Sequence, residues 1–541
     1  MKAVYVLRCN GGLADLRTSL SYAINSALSS LIRLVPRIID FHLLAGLSRF
    51  STYSGYERYA KKQVFTVYYE LPNSQARQQP PVNFLTITEQ LSYENAPLIV
   101  VKPPGPKSQE LLAEQSRLET QSAYYNKAFP FAIDSAKGST IRDVDGNLFI
   151  DWISGMCVLN LGHNNPAVVA AVRSQEEKVW HTLETPTSVR IEFLKQIHSV
   201  LPGALKGAAK ALFTVTGGDA CEAAVGLARY VTKRSTIIAF QGSYHGGNQG
   251  IVSSTSNKKL LGMSGTLRQG VFHLPFPYSY RFPFPVEKKG DETKVLLEYL
   301  EGLLQDPHSG LDEPAGIIVE PIQCEGGYII PPSDFLPGLR EIADKHQIPL
   351  IADEVQTGFG RTGKFWASEL TNTTPDIMCI SKAMGGGIPV SMIAYRQEYD
   401  KSLPEMFRVG TYRANALALA AGAASIEYIK KENLLERAQT LGRKTKSAFE
   451  RIADSSNIIG DVRGVGFMIG MELVESKETK KPAPEKTMKL RRYMFENGLL
   501  MQGCGHFGNV MRFMAPLTIS ESLLERGLEI FERGVKVVTG P

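Results

Sequence analysis

Asp353 and Lys382 each close a short apolar run, and together they could do chemistry. The runs Ile348 to Ala352 and Asp376 to Ile380 have the length and flanks of buried strands. In a parallel α/β sheet, ligands and catalytic groups collect at the carboxyl ends of strands, so a carboxylate and an amine are well sited there. A lysine partly removed from water has a destabilised ammonium and becomes a candidate Schiff-base nucleophile. An aspartate nearby can hold a protonated pyridine nitrogen, the pairing that pyridoxal phosphate chemistry needs. Taken singly, each residue has a plainer reading, a surface lysine and a helix-capping aspartate.

The elements that must position these groups are legible as a succession of strands and helices. Ala211 to Val215 runs into Thr216-Gly217-Gly218-Asp219, Thr236 to Phe240 into Gln241-Gly242-Ser243-Tyr244-His245, and Gly316 to Val319 into Glu320-Pro321. With the two opening runs, five apolar segments each deliver a glycine-rich or polar cluster at the same end, which predicts a doubly wound sheet with one functional edge. Gly217 and Gly218 precede a helix whose apolar face repeats at Ala220, Ala223, Ala224 and Leu227, so free backbone N–H groups and the positive helix end make a phosphate seat. Upstream, Ile133 to Ile153 reads as an antiparallel meander turning at Asp145-Gly146-Asn147.

The run DEVQTGFGRTGKFWA from Asp353, followed by PDIMCISKAMGGGIP from Pro375, resembles the class III (ω-amino-acid type) aminotransferases, with diaminobutyrate and 4-aminobutyrate transaminases as the nearest types. The likeness spans roughly residues 100 to 541. It implies an α/β fold of fold type I, with a large, doubly wound, mostly parallel sheet domain and a small α+β domain built from the chain's two ends. It also implies pyridoxal 5'-phosphate, with Lys382 as its covalent holder and proton carrier and Asp353 on the pyridine nitrogen. Tyr244 then stacks on the ring, Val355 packs on its other face and Gln356 bonds its hydroxyl. Gly217 and Gly218 hold the phosphate, although the family usually has serine or threonine at the Gly218 position and asparagine at the Val215 position. Thr411, in GTYRANALALAAG, matches a threonine that reaches the neighbouring subunit's phosphate, which implies a homodimer with shared active sites. His245 has a structural reading beside Tyr244.

Glu325, in EPIQCEGG, and Arg512, in VMRFMAPLTI, match a switchable ion pair of the family. Glu325 neutralises Arg512 when a terminal amine binds, and the arginine takes the keto acid's carboxylate in bidentate fashion. A permanent salt bridge is the other reading. Trp152 and Cys157 are candidates for the substrate pocket or for buried packing. Gly247 stands where relatives using 4-aminobutyrate carry a carboxylate-gripping arginine, and Arg281 and Arg413 are the candidates to replace it. The run HLPFPYSYRFPFP from His273 is similar to a loop of family members that racemise or epimerise amino acids.

At 541 residues the chain holds about three to four units of ordinary domain size. We divide it into an amphipathic extension and Pro/Gln-rich linker (1–100), the first part of the small domain (101–165), the large domain (166–405) and the rest of the small domain (406–541). A net charge of +6 without basic blocks interleaved with aromatics does not suggest nucleic-acid binding. Six scattered cysteines without C-x-x-C spacing or histidine partners predict neither a metal site nor a disulfide framework. The basic, Leu/Ile/Ser-rich first 63 residues admit an organelle presequence, which Asp15 opposes, and a membrane span, which Arg33, Arg37 and Asp40 interrupt. An amphipathic helical appendage fits them best. The expected location is cytoplasmic, with the mitochondrial matrix as the alternative. The expected function is transfer of an amino group from a terminal amine to 2-oxoglutarate. Racemisation by the same lysine and aspartate, and a catalytically silent scaffold, are the alternatives.

Overall fold

A computed structural model describes residues 5–9, 63–67, 91–263, 270–288 and 290–540. Contacts divide the chain between Asn83 and Phe84. In the first unit, strands β1 (Tyr5–Cys9) and β2 (Gln63–Val67) pair antiparallel. The helical appendage and most of the linker expected there lie outside the described residues.

In the second unit, the meander is β3 (Ile133–Lys137), β4 (Thr140–Asp143) and β5 (Leu148–Asp151). Asp143 shapes its turn, accepting from the backbone of Asp145 and Asn147. The large sheet is built from β6 (Lys210–Thr214), β7 (Thr236–Phe240), β8 (Val271–Leu274), β9 (Pro314–Val319), β10 (Leu350–Asp353), β11 (Ile377–Ile380) and β12 (Ser391–Tyr395). Its order is β6-β12-β11-β10-β9-β7-β8, with β12 antiparallel to both neighbours and the pairs from β11 to β8 parallel. Strands β9 and β10 are buried at every position, as continuous apolar runs covered on both faces must be.

Alternation along one strand shows how the faces are filled. Ile237 and Ala239 of β7 pack with Ala220, Ala224 and Leu227 of the Gly217–Thr232 helix. Ile238 and Phe240 point to the other face, against Phe335, Leu336 and Leu339 of the Phe335–Lys345 helix. Both faces are dry, so only the strand ends reach solvent and ligands.

The chain's later part adds β13 (Ile459–Val465), β14 (Met468–Leu473), β15 (Leu499–Leu500), β16 (Gln502–Cys504) and β17 (Val510–Phe513). Strands β13, β14, β17 and β16 form a second sheet in that order, while β15 pairs with β5 and so joins late residues to the early meander. Trp152 sits in the core between these parts, fully buried, with its ring 4.9 Å from that of Phe513 and edge-on to it. A Cβ on Gly527 would come within 2.2 Å of the Trp152 ring. Trp152 is therefore packed in the core here, in keeping with the second of its two readings. Cys157 is likewise buried, its Sγ 3.6 Å from the Tyr328 hydroxyl.

Candidate active site

The carboxyl ends of β7, β9, β10 and β11, with the N-terminus of the Gly217–Thr232 helix, surround a cavity of about 280 Å³ lined by Gly217, Gly218, Tyr244, Asp353, Val355, Gln356 and Lys382. A wider cleft continues from Tyr244, Gln356 and Lys382 to Glu325 and Arg512. Of the candidate site residues, Trp152, Cys157 and Thr411 line neither space.

Lys382 follows β11 at the first residue of a short turn, with φ +46°. A left-handed backbone costs a lysine conformational energy, of the kind proteins retain where a side chain must be aimed. Asp353 ends β10 and pairs in register with Cys379 of β11, so the fold sets the carboxylate and the lysine at adjacent strand ends.

Asp353 is buried, which works against its ionisation. His245 donates to it across 2.7 Å, the Val355 amide donates across 3.1 Å, and Lys382 adds positive charge; together they hold the carboxyl below its ordinary range. The site thus keeps an ionised carboxylate in a dry place, poised for a cationic partner. His245 Nε2 is buried without a partner. Cys221 completes the group from below, its thiol 3.3 Å from the same carboxylate oxygen. No cysteine has a histidine at ligand spacing in the sequence, yet the fold brings the ligand atoms of Cys221, His245 and Asp353 within 4.8 Å of one another. The hydrogen bonds to Asp353 account for that convergence.

Two more buried acids brace the loops. Glu320, ending the β9 segment, accepts from the Tyr244 and Cys324 amides at 2.9 Å each, tying the loop of Tyr244 to the loop of Glu325. Burial pushes its carboxyl up to about 7, against the pull of His245. Glu354 accepts from the Ala367 and Ser368 amides and from the Thr357 hydroxyl, which pins the turn bearing Val355 and Gln356. His245, Glu320 and Glu354 were the site residues that sequence reasoning left without a role. Their one signal was a polar residue at the end of an apolar run.

The cavity suits a flat aromatic ring bearing a phosphate. Gln356 Oε1 is buried and unpartnered, an acceptor awaiting a donor. Tyr244 and Val355 stand on the walls, and a Cβ at Gly217 would meet Val355 Cγ1 at 2.8 Å, so only glycine lets the chain pass this close. Thr216 and Asp219 close a capping box on the helix, leaving the amides of its first residues directed at the cavity.

Arg512 on β17 is buried, and its Nη1 donates to Glu325 Oε1 across 2.7 Å, while Glu325 stays partly exposed to the cleft.

The family model for class-III aminotransferases matches residues 121–535. That span is more than three quarters of the chain and holds every site residue described above. The chain belongs to the class-III aminotransferases. A diaminobutyrate–2-oxoglutarate aminotransferase of Rhizobium meliloti is 38% identical over 77% of this chain and 90% of its own length. An alanine/serine racemase of Pyrococcus horikoshii is 34% identical over 84% of this chain and 96% of its own. Among solved structures, an amine transaminase from an uncultivated Pseudomonas species, in its PLP-bound form, superposes with a TM-score of 0.72 at 27% identity, covering 78% of this chain and 98% of that one.

In this class-III aminotransferase, neither arginine offered as a replacement at Gly247 is free. Arg281 is paired with Glu472 and donates to the Lys480 carbonyl, and Arg413 is engaged by Glu184 and the Arg408 and Gly410 carbonyls. The loop from His273 is spent on the same anchor: Tyr278 and Arg281 both reach Glu472, joining the large sheet to β14. Cys157, Cys221, Cys324, Cys379 and Cys504 are free and buried, and among the described residues no helix is long and apolar enough to cross a membrane.

Proposed function

We propose that this aminotransferase uses pyridoxal 5'-phosphate to move an amino group from a terminal amine, a diamino acid such as 2,4-diaminobutyrate or an ω-amino acid such as 4-aminobutyrate, to 2-oxoglutarate. The observation that carries this reading is the Glu325–Arg512 pair in the cleft that leads to Lys382. A donor without a carboxylate at its reacting carbon leaves the pair closed. A dicarboxylic keto acid displaces Glu325, which can swing into solvent, and takes the planar guanidinium. A racemase, whose two substrates are mirror images with the same charges, has no need of such an exchange.

The bound cofactor would supply an electron sink for the pair released when a substrate C–H bond breaks. The chain's own groups do the rest. Lys382 would hold the cofactor covalently, and its free amine would carry the proton away from the substrate carbon. Asp353, ionised by His245, keeps the ring nitrogen protonated. Gln356 Oε1 would accept from the ring hydroxyl, Tyr244 and Val355 would hold the ring, and the Gly217 and Gly218 amides would hold the phosphate.

The assembly we propose is a homodimer with shared sites. Thr411 is exposed and lies outside its own chain's cleft, beside Val409 and Tyr412 at 68% and 72% exposure. Trp180 and Leu183, at 57% each, stand against the same segment, where the Ala416 amide donates to the Trp180 carbonyl and Arg413 pairs with Glu184. Apolar side chains gathered this way seek a cover. We place the protein in the cytoplasm.

The half-reactions test the switch. In Arg512→Ala, the keto-acid half-reaction is expected to lose about 10- to 100-fold in apparent affinity, the worth of a charge-assisted contact, while the rate with the amine donor stays within a few-fold. Equal losses in both half-reactions would make the pair a structural salt bridge and sink the assignment.

A further inference from the structure

Gly218 gives the first turn of its helix no side chain, and the neighbouring loop lies against that bare position. A Cβ at Gly218 would stand 3.2 Å from Asn248 Oδ1, 3.3 Å from its Cγ and 3.4 Å from its Nδ2. The loop lies directly on the helix end, since a Cβ at Gly246 would be 2.7 Å from Gly218 Cα. Its course is held there, because the Asn248 carbonyl accepts from the Ile251 and Val252 amides at 3.0 and 2.8 Å. Asn248 borders the same cavity as Gly217, Gly218 and Lys382.

The other side chains of the helix start are occupied. Thr216 Oγ1 accepts from the Asp219 amide and Asp219 Oδ2 accepts from the Thr216 amide. Asp219 also brings a negative charge toward the place where a phosphate would sit, and Asn248 Nδ2 donates to Asp219 Oδ1 across 2.6 Å. A carboxamide nitrogen carries two N–H groups. One is spent on Asp219, which leaves the second for another acceptor, on a side chain that lines the cavity.

We propose that Asn248 is a cofactor phosphate ligand, its second Nδ2–H supplying the side-chain contact that Gly218 does not offer while its first screens Asp219. The inference rests on the reading of Gly217 and Gly218 as the phosphate seat. It makes Gly218 and Asn248 a matched pair, since a side chain at 218 and the carboxamide of 248 compete for one volume.

Cofactor affinity of the purified holoprotein, measured by equilibrium dialysis against pyridoxal 5'-phosphate, tests the pairing. Asn248→Ala is expected to weaken binding about 10- to 100-fold, a hydrogen bond to a charged group, and Asn248→Asp to weaken it further by repulsion. Gly218→Ser alone should weaken binding by pressing on Asn248. The double variant Gly218→Ser/Asn248→Ala should bind more tightly than either single one, because the new hydroxyl enters the vacated space. Wild-type affinity in Asn248→Ala, with no recovery in the double variant, overturns the assignment of Asn248 alone, as does a fall in thermal stability of the cofactor-free protein without a change in affinity. A wild type that binds no pyridoxal phosphate overturns the seat and this inference with it.

Discussion

Lys382→Ala is expected to lower turnover by about 10⁴-fold or more, since one substitution removes both the covalent holder of the cofactor and the proton carrier. The visible absorbance of the lysine-bound cofactor should vanish, while phosphate-seat contacts still retain the free cofactor. The backbone supports the change. Lys382 sits at φ +46°, where alanine is no more strained than lysine, so the fold should survive. Small primary amines in the buffer should restore part of the rate if the lysine acts as a base. Turnover within tenfold of wild type, measured with any amine donor, would remove Lys382 from the chemistry.

Asp353→Asn should cost about 10² to 10³ in the rate of the donor half-reaction, the range found when a preorganised charge-stabilising group is removed. The side chain keeps its shape, but the ring nitrogen loses the anion that holds its proton. His245 loses its charged acceptor as well, so a second consequence is expected in the fold. A buried imidazole with a weakened partner costs about 1–3 kcal/mol, readable as a drop in the unfolding temperature of the cofactor-free protein. Rates unchanged by this substitution, with the cofactor bound, would mean that Asp353 does not face the ring.

The site was legible where chemistry sits on the strand it belongs to. Asp353 and Lys382 each follow an apolar run closely, and the sheet places those runs side by side in parallel, as the pattern demands. The helix start that opens on the cavity followed from the two glycines at Gly217 and Gly218. What could not be read was anything held by contacts across the fold. His245 is 108 residues from Asp353 in sequence, and no local pattern marks a histidine as the donor to a distant carboxylate. Asn248 acquires meaning only beside the bare Cα of Gly218.

Burial misled in the opposite direction. Trp152 follows a strand and precedes a glycine, which is also how a cleft residue looks, and its packing against Phe513 depends on the far end of the chain. Arg281 is a lone cation in an aromatic loop, and nothing nearby in sequence announces that Glu472, on another sheet, takes it. Strand β12 was missed because an antiparallel strand inserted between β6 and β11 has no βα repeat to signal it. Strand β8, four residues at the sheet edge, runs straight into a proline-rich loop that hides it.

We propose that this cleft passes an amino group from a terminal amine to a keto acid. The most direct test is a single-turnover absorbance scan of the wild-type protein mixed, without keto acid, with diaminobutyrate, ornithine, 4-aminobutyrate and a branched α-amino acid in turn. One of the terminal amines is expected to convert the cofactor band to that of the amine form, and 2-oxoglutarate to restore it. A band that no donor converts, together with exchange of the branched amino acid's α-proton in deuterated water, would instead make the protein a racemase.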